Sequence, residues 1–311
     1  MRPMIQFNNL HRFFGPTRAV DGISFEVDQG QVFGYIGPNG AGKTTSMRIL
    51  ATLDIPNYGD AYVDGFSVID DPDRVRRRLG FMPDYFGTYA NVNVREYLDF
   101  FARSYNLRGR NRLSAIDRTM EFTQLDELAE KPINGLSKGM KQRLCLGRTM
   151  IHDPAVLVLD EPAAGLDPRA RIELRVMIRR LAAEGKTVLV SSHILTELAE
   201  MCDAVGIIER GRLMAVGTVE DVHKAHPGQH AVRVRVLGDP AALVEWLQER
   251  IVVHEYRIDG DLLVFTHDGD RESEADLLRD LILAGFRIAA FGGERRSLED
   301  VFMQVTKGRV Q

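Results

Sequence analysis

The chain has 311 residues, of which 44% are hydrophobic and 27% charged, and 40 Lys and Arg stand against 44 Asp and Glu for a formal charge of -4. That balance supplies no broad basic field for nucleic acid or anionic lipid. No apolar run approaches the roughly 20 residues of a membrane-spanning helix, and the length allows about two ordinary globular domains.

The opening Met1-Arg2-Pro3-Met4 has no apolar leader core. Cys145 and Cys202 fit no metal-binding spacing and sit in apolar-periodic stretches, so buried free thiols in a reducing compartment are expected. A cytoplasmic location follows, and any membrane-spanning segments are expected on another chain.

In chain order, the first informative element is the apolar run Val32–Ile36. It leads into Gly37-Pro38-Asn39-Gly40-Ala41-Gly42-Lys43-Thr44, a complete G-x-x-x-x-G-K-T phosphate loop, with a helix expected over 45–53. Glycines there let backbone amides approach phosphates. Lys43 is expected to reach the β- and γ-phosphates, and the Thr44 hydroxyl to hold Mg²⁺. A second short apolar run, Leu79–Met82, precedes Asp84. A helical insert follows, with Val94, Leu98, Phe101 and Tyr105 on one face, and Ile116 and Met120 opening another.

Pro132 and Gly135 close that insert before the octet Leu136-Ser137-Lys138-Gly139-Met140-Lys141-Gln142-Arg143, which opens a helix through Arg148. Ser137 falls where free backbone N–H groups at a helix start face an anion. A third apolar run, Val156–Leu159, ends at Asp160 and Glu161. Asp160 is placed to face Mg²⁺ through water, and Glu161 to act as general base toward the water that attacks the γ-phosphate. A fourth run, 187–190, leads through Ser191-Ser192 to His193, and a hairpin over 205–208 and 213–216 closes the domain. Continuous apolar strands separated by helices indicate a parallel sheet covered on both faces, with ligands at the strands' carboxyl ends.

After Val222 the character changes. His226-Pro227-Gly228 reads as a linker. A strand (231–237), a helix (241–250), two strands (252–257 and 262–266), a helix (272–284) and a strand (287–291) follow. That β-α-β-β-α-β order predicts a ferredoxin-like split βαβ unit. The domains are expected at 1–223, with a helical subdomain at about 88–150, and at 230–311 as an accessory or regulatory α+β domain. A last amphipathic segment of Leu298, Val301, Phe302 and Val305 is expected to pack back on it.

Phosphate loop, octet and Asp160-Glu161, in that order over about residues 5–222, resemble the nucleotide-binding subunits of ABC (ATP-binding cassette) systems. The resemblance implies a P-loop cassette fold and an ATPase with ATP and Mg²⁺ as ligands. The nucleotide would be held by Gly37, Pro38, Asn39, Gly40, Ala41, Gly42, Lys43, Thr44 and Thr45, with the metal at Thr44, Asp160 and Asp84. His193 stands where the family has its switch histidine, and Asp167, in Ala164-Gly165-Leu166-Asp167, at the acid that communicates across the dimer. Asp167 also reads as a helix cap before Pro168. Ser137 and Gly139 would bind the γ-phosphate held by a second subunit, so two head-to-tail copies would sandwich two ATP molecules.

Three departures stand out. Lys138 and Met140 replace a glycine and a glutamine of the usual octet, and Asp84 replaces a glutamine that touches Mg²⁺ and relays events to the membrane partner. For the adenine, the family's aromatic falls on Phe14, with Phe13 second, and a phenylalanine replaces the commoner tyrosine. By the same resemblance, an integral-membrane permease is the partner, docked on 84–93 and the helical insert. The chain would then lie peripherally on the inner face of the cell membrane, with no nucleic acid among its partners. Met82-Pro83-Asp84 and the C-terminal extension resemble bacterial export-type subunits of the multidrug and daunorubicin-resistance kind. A soluble ABC ATPase acting on a non-membrane macromolecule is the other class considered.

Overall fold

The computed structural model describes residues 2–85, 87, 91–194, 198, 200–218, 221, 230–251, 253–267 and 271–294. It contains two compact units that meet in sequence at Val219–Glu220.

In the first unit, β1 (Pro3–Phe14), β2 (Thr17–Asp28), β4 (Tyr58–Val63) and β5 (Phe66–Ser67) form an antiparallel sheet in the order β2-β1-β4-β5. A six-stranded sheet lies beside it, in the order β10-β9-β3-β8-β7-β6. Its strands are β3 (Val32–Ile36), β6 (Leu79–Met82), β7 (Val156–Leu159), β8 (Thr187–Ser192), β9 (Ala204–Glu209) and β10 (Arg212–Thr218). All neighbours are parallel except the β9–β10 hairpin. The four expected strands are therefore adjacent, and their carboxyl ends bring four chemistry-bearing loops to one edge.

All four side chains of β7 are fully buried. Removing each Val or Leu from water contributes about 1.5–3 kcal/mol, which explains why continuous apolar runs seek a two-sided position. One flank differs from the expectation. A single core cluster joins Phe33, Tyr35, Val156 and Val158 of the parallel sheet to Met47, Ile49 and Leu50 of α1 (Lys43–Leu50), and to Ile5, Ile23, Phe25 and Val63 of the antiparallel sheet. That flank is thus covered by a second sheet with a helix, and α6 (Pro168–Ala183) packs on β3 and β8. Helix α1 starts at Lys43 inside the phosphate loop and ends at Leu50, rather than running over 45–53. Thr52, at φ 60°, cannot continue it.

The helical insert consists of α3 (Val94–Ser104), α4 (Gly109–Thr123) and α5 (Lys138–Met150), while α2 (Pro72–Arg78) precedes β6. Val94, Tyr97, Leu98, Ile116, Met120 and Leu144 form its own core. Asn93 caps α3 reciprocally with Glu96: each side chain accepts the other residue's backbone N–H. Cys145 is buried as expected, but Cys202 is only partly so. Its sulfur nonetheless lies so close to Gly34 that a Cβ there would come within 2.9 Å.

The second unit contains β11 (His230–Val236), α7 (Pro240–Gln248), β12 (Val253–Asp259), β13 (Leu262–His267), α8 (Arg271–Leu283) and β14 (Ile288–Glu294). Its sheet order β12-β13-β11-β14 is antiparallel throughout, which is the split βαβ arrangement read from the sequence. Val232, Val234, Leu243, Leu263, Phe265 and Leu281 fill its separate core. The 226–228 linker and the 298–305 segment lie outside the described residues.

Candidate functional site

The phosphate loop is wedged between β3 and α1 by contacts only glycine tolerates. A Cβ on Gly37 would meet the Ile208 carbonyl at 2.3 Å, and Gly42, at φ 108°, lies as close to the Ala19 carbonyl, at 2.2 Å. Lys43 is 5% exposed. Its Nζ donates to the Gly37 carbonyl at 2.6 Å and to the Pro38 carbonyl at 3.3 Å, and lies 3.5 Å from Glu161 Oε1.

Glu161 is the junction of the site. Its other carboxylate oxygen stands 2.7 Å from His193 Nδ1, so one side chain joins the loops after β3, β7 and β8. The backbone of Glu161 is left-handed, φ 49°, which turns its carboxylate away from the direction of the β7 strand. Asp160, one residue earlier, is 1% exposed. Burial holds its carboxyl above the usual range. Hydrogen bonds from Ser191 and Thr44 oppose that rise, and the neighbouring charges of Glu161 and Asp84 add to it. Asp84 itself is exposed at the end of β6.

These oxygens suit a hard divalent cation. Thr44 and Asp160 are within each other's reach and Asp84 acts on the same carboxyl. No His, Cys, Asp and Glu group among the described residues forms an all-protein cage. That is the pattern of Mg²⁺ held by one or two protein oxygens plus substrate phosphates.

The octet lies elsewhere. Ser137 caps α5, its Oγ accepting the Met140 N–H at 3.3 Å. Asp167 caps α6, with Oδ1 accepting the Ala170 N–H at 2.9 Å. These two helix starts touch: a Cβ on Gly139 would come 3.1 Å from Ala170 Cβ, and one on Gly165 would meet Lys138 Nζ at 2.2 Å. No hydrogen bond or ion pair among the described residues links Ser137 or Gly139 to the phosphate loop. Structure therefore brings Lys43, Thr44, Asp160, Glu161 and His193 together, with Asp84 at their margin, and sets Ser137, Gly139 and Asp167 apart as a second group.

Phe14 ends β1 and is 48% exposed. The Arg12 guanidinium lies 4.5 Å from its ring centroid, held there by Asp54 at 2.8 Å. Phe13 is less exposed and carries Arg18 at 5.3 Å. Sequence reasoning missed Arg12 and Ser191. Nothing in their local spacing marks either, although a polar Ser191 at the end of an apolar strand was a signal.

Comparison with known proteins bears on both units. Residues 20–164 match the family described as ABC transporter, and residues 217–306 match the ATP-binding protein DrrA1-3-like C-terminal domain. The chain is 34% identical to the Nod factor export ATP-binding protein I of Ralstonia nicotianae, over 98% of this chain and 94% of that one. It is 32% identical to the bacitracin transport ATP-binding protein BcrA of Bacillus licheniformis, over 99% of each. Among solved structures, an ATP-binding subunit of an ABC transporter superimposes with a TM-score of 0.65 at 27% identity, over 71% of this chain and 92% of that one. A dimeric bacterial ABC transporter cassette shares the fold, with a TM-score of 0.63 at 23% identity, over 70% of this chain and 99% of that one.

Proposed function

The chain belongs to the ABC transporter family as an ATP-binding, ATP-hydrolysing subunit, and we propose that it powers export through a separate membrane permease by closing on a second copy around two ATP molecules. The observation that carries the hydrolytic part is the placement of Glu161 between Lys43 and His193, beside buried Asp160.

The phosphate loop, from Gly37 through Thr45, binds the phosphates, and Lys43 exchanges its loop carbonyls and Glu161 for the β- and γ-phosphate oxygens. That exchange releases the Glu161 carboxylate to accept a proton from the attacking water, while His193 orients the same water and contacts the γ-phosphate. Thr44 and Asp160, with Asp84 at the margin, hold Mg²⁺, which neutralises charge on the phosphates when bound. Phe14 offers its ring to the adenine, a contact tolerant of any base.

Ser137 and Gly139 complete the pocket of the second copy. Their separation from the chain's own phosphate loop supports an arrangement in trans, and Asp167 carries the signal between the two sites. The names of the relatives, which refer to export and transport, favour an exporter. Among the described residues no helix is long and apolar enough to cross a membrane. Attachment to the inner membrane face therefore falls to the permease, and the C-terminal unit acts as an accessory domain.

Glu161→Gln tests this reading. The variant should bind ATP, hydrolyse it roughly 10²–10⁴-fold more slowly, and accumulate as an ATP-bound dimer in light scattering. Turnover at the wild-type rate would reject Glu161 as the base. Detergent extraction with a tagged chain should bring down a polytopic membrane protein, and a partner without membrane helices would reject the permease.

A further inference from the structure

Ser191 is fully buried at the carboxyl end of β8, and its hydroxyl is engaged twice. It accepts the Glu161 backbone N–H at 2.9 Å and donates its own proton to Asp160 Oδ1 at 2.6 Å. One hydroxyl thus meets the main chain of one acid and the carboxylate of the other. A left-handed conformation at a residue with a side chain persists only where the surroundings over-determine it. Glu161 is held at φ 49° by this bond and by its carbonyl, which accepts the Ala164 N–H at 3.1 Å. The neighbouring Ser192 is occupied locally, its Oγ accepting the Ile194 N–H at 2.9 Å before His193 is passed. The two serines therefore divide the work, one shaping the loop around His193 and the other reaching across to β7.

We propose that Ser191 is a positioning residue for hydrolysis, fixing the Asp160 carboxylate toward the metal and the Glu161 backbone so that its carboxylate meets Lys43 and His193. The proposal rests on the reading of Glu161 as general base. An alanine here would leave the Glu161 N–H buried without its partner, and Asp160 without a charge-assisted bond. Threonine keeps the hydroxyl.

The full-length Ser191→Ala and Ser191→Thr proteins should be compared with wild type and with Glu161→Gln. Ser191→Ala should bind a fluorescent ATP analogue in EDTA within about twofold of wild type. Its kcat should fall about 10- to 100-fold, the scale of a hydrogen bond to a charged group, with KM changed far less. Mn²⁺ titration of the ATP-bound protein by electron paramagnetic resonance should show weaker metal binding. Ser191→Thr should recover most of both losses. Wild-type kcat in Ser191→Ala, or a Ser191→Thr protein as slow as Ser191→Ala, would overturn the proposal. A slow Glu161→Gln beside a fast Ser191→Ala would overturn it while leaving Glu161 as the base. A fast Glu161→Gln would instead remove the base reading itself.

Discussion

The carboxyl edge of the parallel sheet and the start of α5 both carry phosphate-directed residues, yet they are organised in opposite ways. At the sheet edge, Lys43, Asp160, Glu161, Ser191 and His193 come from three strands and contact one another in a chain of bonds between 2.6 and 3.5 Å. At the start of α5, Ser137 bonds only its own helix, and its neighbours belong to the turn before α6. The first region is wired for chemistry within one chain. The second presents a capped helix start and adjacent amides without a partner group in the same unit. A single polypeptide holding half of each of two pockets has this asymmetry.

The largest expected effect breaks the comparison at the α5 end. In a Glu161→Gln background, Ser137→Ala should abolish the ATP-driven dimer at concentrations where Glu161→Gln alone dimerises. Each of the two pockets loses a bond to a charged phosphate, so dimerisation should weaken by about 10²–10⁴-fold. Folding should weaken only by the loss of a helix cap, about 1 kcal/mol. Analytical ultracentrifugation with ATP reads the first and urea unfolding the second. An undiminished dimer would place Ser137 outside the composite site.

The next effect lies at the seam between the two regions. His152, just past α5, stacks on Tyr105 of the helical insert with centroids 3.7 Å apart, and its Nε2 bonds the Leu79 carbonyl of β6 at 3.2 Å. Burial pushes its imidazole down to about 4, against an ordinary value of 6.5. The unfolded chain therefore binds a proton there that the folded one refuses between those values. Stability from the neutral ring is fully present above pH 6.5 and is lost as pH falls toward 4, amounting to about 3 kcal/mol. Unfolding free energies at pH 7 and pH 4.5 should fall more steeply for wild type than for His152→Phe, which keeps a stacking ring without a titration. Equal slopes would show that His152 does not couple the seam to pH.

Much of this organisation was legible before the structure. Runs such as Val156–Leu159 are apolar on both faces and identify central parallel strands, and Gly37 through Thr44 announces its own turn. The octet's place on a helix start also followed from Ser137. The antiparallel sheet escaped notice for a physical reason. In β1 the alternation of buried residues breaks after Phe7, where the pairing with β2 shifts register and Asn9 takes φ 45°. Alternation in β2, with Ile23, Phe25 and Val27 buried, was a usable signal for a one-sided strand. Ser191 and Arg12 were beyond sequence reasoning because both act across long separations, 31 residues from Ser191 to Asp160 and 42 from Arg12 to Asp54.

The smallest effect sharpens the sheet-edge side of the comparison. Phe14 belongs to the nucleotide-holding region but touches none of the acids, so its contribution should be to binding and not to turnover. Phe14→Ala should weaken ATP binding by about 1–3 kcal/mol, with kcat at saturation little changed. Because stacking is indifferent to the base, GTP affinity should fall by a similar factor. Arg12→Ala leaves the ring in place but removes the guanidinium braced by Asp54, so its loss should be smaller. A Phe14→Ala protein with wild-type affinity but a lowered kcat would move Phe14 out of the base-binding role and into the wiring of the sheet edge.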